Sequence, residues 1–281
     1  MPYRRRGIQG AAAEAGAAPL VSRLGAGILV SGTYYKSGSG LEFHVQILKF
    51  PGGDIMEAIG PVRSETLDPM EAVDIIRQRV AVALDKFVHH YDLDGLAYYY
   101  EGEPGSETRQ LVTNLIVGNS LLTAAGFPMC GESDLKTCLA MLIEDRLGIG
   151  GSFAEFHPID FHEGFVLVGH DGPHHINIAD GKPVLRSLTK YHGKPGSGAS
   201  VEFKIKEGPI TMLSIGLNGE GRFKFVIAEG ASVQGPIPPT GNTNTRGFFQ
   251  PDVRTFLQRW VAEGPTHHFA LGVGHHADTI Q

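Results

Sequence analysis

Four short stretches of the chain carry residue types suited to acid–base and metal chemistry. Cys130-Gly131-Glu132-Ser133-Asp134 sets two acids in a turn just ahead of a helix, and loops at the carboxyl ends of strands are the usual ligand sites of open α/β sheets. An acid there has a competing role as a helix cap. In Gly150-Gly151-Ser152-Phe153-Ala154-Glu155-Phe156-His157 a single acid, Glu155, stands among apolar neighbours in a strand-like run. Such an acid is rarely buried unless it is paired or metal-bound; its alternative is a solvent-facing strand position. The apolar run Phe165 to Val168 leads directly into Gly169-His170-Asp171-Gly172-Pro173-His174-His175, where imidazoles beside a glycine at a strand end are placed for metal ligation. Finally, Pro265-Thr266-His267-His268-Phe269-Ala270-Leu271-Gly272 carries a histidine pair in an otherwise apolar segment. Lone histidines are commonly just packed; a pair is harder to dismiss.

Two carboxylates with two imidazoles form a mixed oxygen and nitrogen set that suits Mn²⁺, Co²⁺ or Fe²⁺ and leaves positions open for two substrate oxygens. Thiolate-preferring metals are disfavoured. Cys130 and Cys138, the two cysteines, match neither a CxxC redox pair nor a zinc ribbon, which fits reduced thiols in a cytoplasmic setting. Spacing alone does not bring the four groups together, because they come from separate loops.

The elements that must position them can be read from periodicity. Apolar runs at Leu24 to Val30 and Phe43 to Leu48 read as strands, closed by Ser31-Gly32 and Pro51-Gly52-Gly53-Asp54. Asp68-Pro69-Met70-Glu71 supplies an N-cap, a proline at the first helical position and an early acid. Val73, Ile76, Val80, Leu84 and Phe87 then recur at helical steps. Gly95 to Tyr100 reads as another strand, Thr108 to Ala125 and Ser133 to Arg146 as helices. Strand and helix in alternation predict an open, Rossmann-like, mainly parallel sheet. Gly148-Ile149-Gly150-Gly151 breaks the pattern. Beyond it Val201 to Lys206 alternates apolar with charged residues, and Ile210 to Leu217 and Arg222 to Ala228 flank the turn Asn218-Gly219-Glu220-Gly221. The second half therefore reads as antiparallel, β-rich and barrel-like. The terminal His275 to Gln281 looks like the start of a helix rather than an end.

The expected organisation is a leader over 1–22, an α/β domain over 23–150 and a β-rich domain over 151–281. The leader combines Tyr3-Arg4-Arg5-Arg6 with a small-residue tail and lacks the apolar core of a secretion signal. With 281 residues, 42% of them hydrophobic, the chain is long enough for two domains and reads as an ordinary soluble protein. A net charge of -6 argues against a nucleic-acid partner. No apolar run approaches the ~20 residues of a membrane span.

The four segments, in this order, resemble the L-arabinose/L-fucose isomerase family. Cys130-Gly131-Glu132-Ser133-Asp134-Leu135-Lys136-Thr137 looks like the motif of that family's first metal carboxylate, and Ser152-Phe153-Ala154-Glu155 like that of its second. Gly169-His170, following the glycine turn Glu163-Gly164, resembles the first ligand histidine. Thr266-His267-His268 resembles the late pair, whose second member binds metal while the first lies against substrate. Gly193-Lys194-Pro195-Gly196-Ser197-Gly198 is similar to the family's glycine-rich turn. The resemblance implies a metal-dependent aldose–ketose isomerase acting through a cis-enediol on a pentose or deoxyhexose. Glu132, Glu155, His170 and His268 would hold Mn²⁺ or a similar cation, the two glutamates would be the acid/base pair, and His267 would bind substrate. A sugar as small-molecule partner, a homo-oligomer (trimer or hexamer) and a cytoplasmic location follow from the same likeness. Three departures stand out. Leu135 occupies a position that is usually aromatic in arabinose isomerases, Asp171-Gly172-Pro173-His174 is not their usual sequence after the histidine, and the family's N-terminal domain has no counterpart. The last leads to the expectation of a fragment, inactive alone, and favours the alternative of a non-catalytic sugar-binding or assembly subunit. A metal-dependent hydrolase with Asp171 as base is the third reading.

Overall fold

The structure is a computed structural model that describes residues 28–37, 40–49, 54–63, 81–99, 115–187, 190–191, 194–195, 199–237 and 244–281. The expected leader, the helix start at Asp68 and, of the glycine-rich turn Gly193 to Gly198, residues 193 and 196–198 lie outside them. Chain contacts define two units, residues 1–79 with 104–111 and residues 80–103 with 112–281.

In the first unit, β1 (Ile28–Ser37), β2 (Gly40–Lys49) and β3 (Asp54–Arg63) form a three-stranded antiparallel meander in the order β1-β2-β3. This corrects the expectation of parallel strands here. Thr33-Tyr34-Tyr35 continue β1 past the presumed stop at Ser31-Gly32, so residues 38 and 39 alone link β1 to β2. A parallel pairing needs a crossover of roughly a dozen residues or more, and a connection this short permits only a hairpin.

The second unit begins with α1, helical over residues 81–90. Next come β4 (Leu96–Ala97), α2 (Ile116–Ala124), β5 (Met129–Cys130) and α3 (Leu135–Arg146). β4 and β5 pair in parallel, the one parallel pair among the described residues. The six strands β6 (Gly150–Asp160), β7 (Phe165–Gly169), β12 (Gly208–Leu217), β13 (Phe223–Val233), β14 (Thr245–Phe248) and β15 (Phe269–Val273) close an antiparallel barrel in the order β12-β13-β14-β7-β6-β15. The expected barrel-like second half is thus a closed barrel. Between β7 and β12, β8 (Ala179–Ser187) and β11 (Ala199–Ile205) form a separate antiparallel pair, with the two-residue strands β9 (Lys190–Tyr191) and β10 (Lys194–Pro195) between them. Val201 to Ile205, read as a strand with one wet face, is the middle of β11. The helices α4 (Val253–Ala262) and α5 (Ala277–Ile280) complete the unit.

Alternation along the barrel strands sorts their side chains into two layers. Ala154, Met212, Phe269 and Leu271 join a core with Phe249, Phe256 and Trp260. Phe153, Leu213, Ile215 and Ala270 point the other way and pack with Cys138, Ala140 and Met141 of α3. Because α3 covers β6, β12 and β15, both faces of β12 are dry from Ile210 to Gly216. That is why its sequence shows no regular apolar and polar alternation, with Thr211 and Ser214 buried among its apolar residues. Gly151 permits the close approach: its φ is +101°, and a Cβ there would lie 2.4 Å from the Met141 carbonyl oxygen.

Candidate metal centre

Strand register assembles three of the four expected ligands. β15 runs antiparallel to β6 with Phe269 opposite Ala154, so the residue before Phe269, His268, comes alongside Glu155. β6 in turn pairs with β7 with Glu155 opposite Gly169, which brings the next residue, His170, to the same place. All three occupy the outer layer of the barrel, where Phe153 packs against the His170 and His268 rings at centroid distances of 4.4 Å each. Glu132 arrives from the loop after β5. The loop is tied down by Ser133 N–H donating to the Tyr98 carbonyl at 2.9 Å, and Glu132 and Ser133 adopt left-handed φ values of 59° and 55°. Two non-glycine residues in this region cost about 1–2 kcal/mol each, a strain of the kind held at functional sites.

The resulting geometry is tight. His170 Nε2 lies 3.7 Å from Glu132 Oε1 and 3.9 Å from Glu155 Oε1, and His268 Nε2 lies 3.4 Å from Glu132 Oε2. Ligand atoms of Glu155, His170 and His268 lie within 4.8 Å of one another, as do those of Glu132, His267 and His268. His170 and His268 are buried, and their Nε2 atoms have no hydrogen-bond partner among the described residues. Buried polar atoms are normally paired. Separations of this size are too long for hydrogen bonds, but donors at roughly 2.1 Å around a common ion stand about 3 to 4 Å apart. The residues present therefore fit a divalent cation, and their carboxylate and imidazole composition suits Mn²⁺-like ions over thiolate-seeking ones.

His267 behaves differently from its neighbour. Its side chain is exposed, with Nε2 2.7 Å from Glu155 Oε2, so it forms the solvent-facing edge of the cluster.

Three residues outside the expected ligand set also belong here. Asp134 caps α3, accepting from Thr137 N at 3.0 Å and Thr137 Oγ1 at 2.8 Å, and its Oδ2 also lies 3.1 Å from His268 Nδ1. Cap and orienting carboxylate are thus one side chain, a combination that weighing the two roles as rivals conceals. His157 Nε2 sits 3.3 Å from the Gly169 carbonyl and 3.7 Å from Glu155 Oε1. It shares a face with Phe153 and Glu155, a signal that the period-2 alternation of β6 already contained. Asp171 places Oδ1 3.5 Å from His170 Nδ1.

Electrostatics follow from these contacts. The His170 and His268 imidazoles hold the Glu132 carboxyl far below the usual carboxylate range. For His268, burial disfavours the charged ring, but Asp134 and Glu132 outweigh it and push the imidazole up to about 9. Without a cation, then, His268 carries a proton that a metal would have to displace.

An antiparallel barrel whose outer face gathers two carboxylates and two imidazoles defines a candidate mononuclear metalloprotein centre. Residues 150–281 match the family model of the L-arabinose isomerase C-terminal domain. The L-arabinose isomerase of Nocardioides sp. is 30% identical over 178 residues, 57% of this chain and 34% of that protein. The sulfoquinovose isomerase of Alkalicoccus urumqiensis is 26% identical over 164 residues, 58% of this chain and 35% of that protein. L-arabinose isomerase 1 of Bacillus licheniformis is 28% identical over 159 residues, 53% of this chain and 31% of that protein. The chain thus spans about a third of the length of each relative. No helix among the described residues is long and apolar enough to cross a membrane.

Proposed function

We propose that the chain carries the catalytic centre of a divalent-cation-dependent aldose–ketose isomerase, with a pentose or a deoxyhexose as substrate. The observation that carries this reading is the convergence of Glu132, Glu155, His170 and His268, with two buried Nε2 atoms facing the carboxylates. A cation bound there would supply Lewis-acid stabilisation for the two sugar oxygens that exchange carbonyl and hydroxyl character. The protein's own groups do the rest. One of Glu132 and Glu155 takes the proton from C2 of the aldose while the other, protonated, gives its proton to O1, so that a cis-enediol forms; the proton from C2 is then returned to C1 as the other takes up the proton of O2. Exposed His267, already 2.7 Å from Glu155, binds substrate hydroxyls at the solvent-facing edge. Phe153 keeps water from the back of both imidazoles.

The same reading includes an α/β part before about residue 150 that contains the parallel pair β4-β5, a β-rich part after it, assembly into a homo-oligomer and a cytoplasmic location. Its substrate candidates come from the relatives named for L-arabinose and sulfoquinovose.

The test is a ketose colour assay after loading with Mn²⁺ or Co²⁺, over a panel of pentoses and hexoses that includes both sugars. Glu155→Gln is expected to lower turnover by at least about 100-fold with the fold retained. Full activity in that variant defeats the assignment. Metal and sugar binding without any ketose formation identifies a binding subunit instead.

A further inference from the structure

The two imidazoles of the centre are not prepared alike. His268 has Nδ1 against the Asp134 carboxylate at 3.1 Å and Nε2 open toward Glu132, the arrangement in which an outer carboxylate fixes a ligand histidine. In His170 the Gly172 N–H donates to Nδ1 at 2.8 Å. A nitrogen that accepts carries its lone pair, so in the neutral ring the proton sits on Nε2, and that tautomer cannot ligate through Nε2. Yet Nε2 is the atom that faces Glu132 and Glu155, buried and without a hydrogen-bond partner among the described residues.

We propose that Asp171 is the positioning residue for His170, accepting a hydrogen bond from Nδ1–H when a cation binds and so holding the ring in the tautomer whose Nε2 lone pair points into the centre. Asp171 Oδ1 is 3.5 Å from Nδ1, and the two side chains are only 9% and 2% exposed. Exchanging the amide contact for the carboxylate requires a turn of the ring that shortens this distance to a hydrogen bond. Gly172 keeps that turn open, since a Cβ there would lie 2.9 Å from Nδ1. The proton balance closes: Nε2 gives its proton to solvent and Nδ1 takes one up. The inference rests on the cation site proposed above and adds a residue to it.

The experiment is calorimetric titration of the full chain with Mn²⁺, comparing the unsubstituted chain with Asp171→Asn and Asp171→Ala. Affinity should fall by about 10- to 100-fold in both, while the unfolding midpoint of the cation-free protein stays in place, which a purely structural role would not allow. A second measurement needs no variant: in ¹⁵N-histidine-labelled protein, Zn²⁺ should move the His170 proton from Nε2 to Nδ1 in long-range ¹H–¹⁵N spectra. Affinities of both variants within about twofold of the parent, or a zinc-loaded His170 whose Nδ1 lacks a proton, overturn the inference while leaving the cation site standing. A parent chain that takes up no Mn²⁺ removes the site and the inference together.

Discussion

Replacing Asp134 by alanine should weaken the cation-free protein in a pH-dependent way, because the side chain acts at two points. As N-cap of α3 it satisfies Thr137 N at 3.0 Å, and losing a cap costs about 1 kcal/mol at any pH. As partner of His268 it shares with Glu132 the work of raising that imidazole from 6.5 to about 9. A shift of this size corresponds to about 3 kcal/mol in total, of which about 1–2 kcal/mol falls to Asp134. A base whose folded value lies above its unfolded one contributes stability that is complete below the unfolded value, here 6.5, and is lost as pH rises through about 9. Asp134→Ala should therefore cost about 2–3 kcal/mol near pH 6 but only about 1 kcal/mol near pH 10. Urea unfolding with chelator present, followed by fluorescence of Trp260, the chain's single tryptophan and part of the barrel core, reads the difference. An equal cost at both pH values would refute the coupling and leave only the cap.

Two further outcomes follow from the packing of α3 on the barrel. Gly151→Ala forces a side chain into a φ of +101° and a Cβ to within 2.4 Å of the Met141 carbonyl, so thermal unfolding should show a loss of at least about 2 kcal/mol. Glu144 is fully buried on α3, its carboxylate oxygens lack hydrogen-bond partners among the described residues, and burial pushes its carboxyl well above the usual range. Its folded value exceeds its unfolded one, so it costs stability increasingly as pH rises. Glu144→Gln should thus gain stability relative to the parent between about pH 5 and 8, and unfolding curves whose gap stays constant over that range would contradict this.

What the sequence disclosed was whatever local pattern controls. The strand-like run of β6 placed Glu155 on a strand, and the acid-bearing turn ahead of Ser133 to Arg146 marked the start of α3. The pairing of the barrel strands was not legible: β14, the short segment Thr245 to Phe248, closes the barrel by pairing with β13 on one side and, on the other, with β7 about eighty residues earlier in sequence. Nothing in Thr-Arg-Gly-Phe announces that. In the first unit Phe43 to Leu48 was correctly read as extended, but the hairpin was hidden by Ser31-Gly32, which resembles a turn and is instead mid-strand. At the centre, the ligand types were visible and their meeting was not. Glu132 also needed a left-handed backbone that no propensity favours for glutamate.

The central claim is that Glu132, Glu155, His170 and His268 grip one divalent cation. Mn²⁺ titration of the full chain after chelation, with free Mn²⁺ read by electron paramagnetic resonance, tests it most directly. The account predicts a single tight site per chain, abolished in a His170→Ala/His268→Ala double variant that still shows the parent's barrel signature by circular dichroism. Undiminished uptake by that folded variant, or no uptake by the parent, would contradict it.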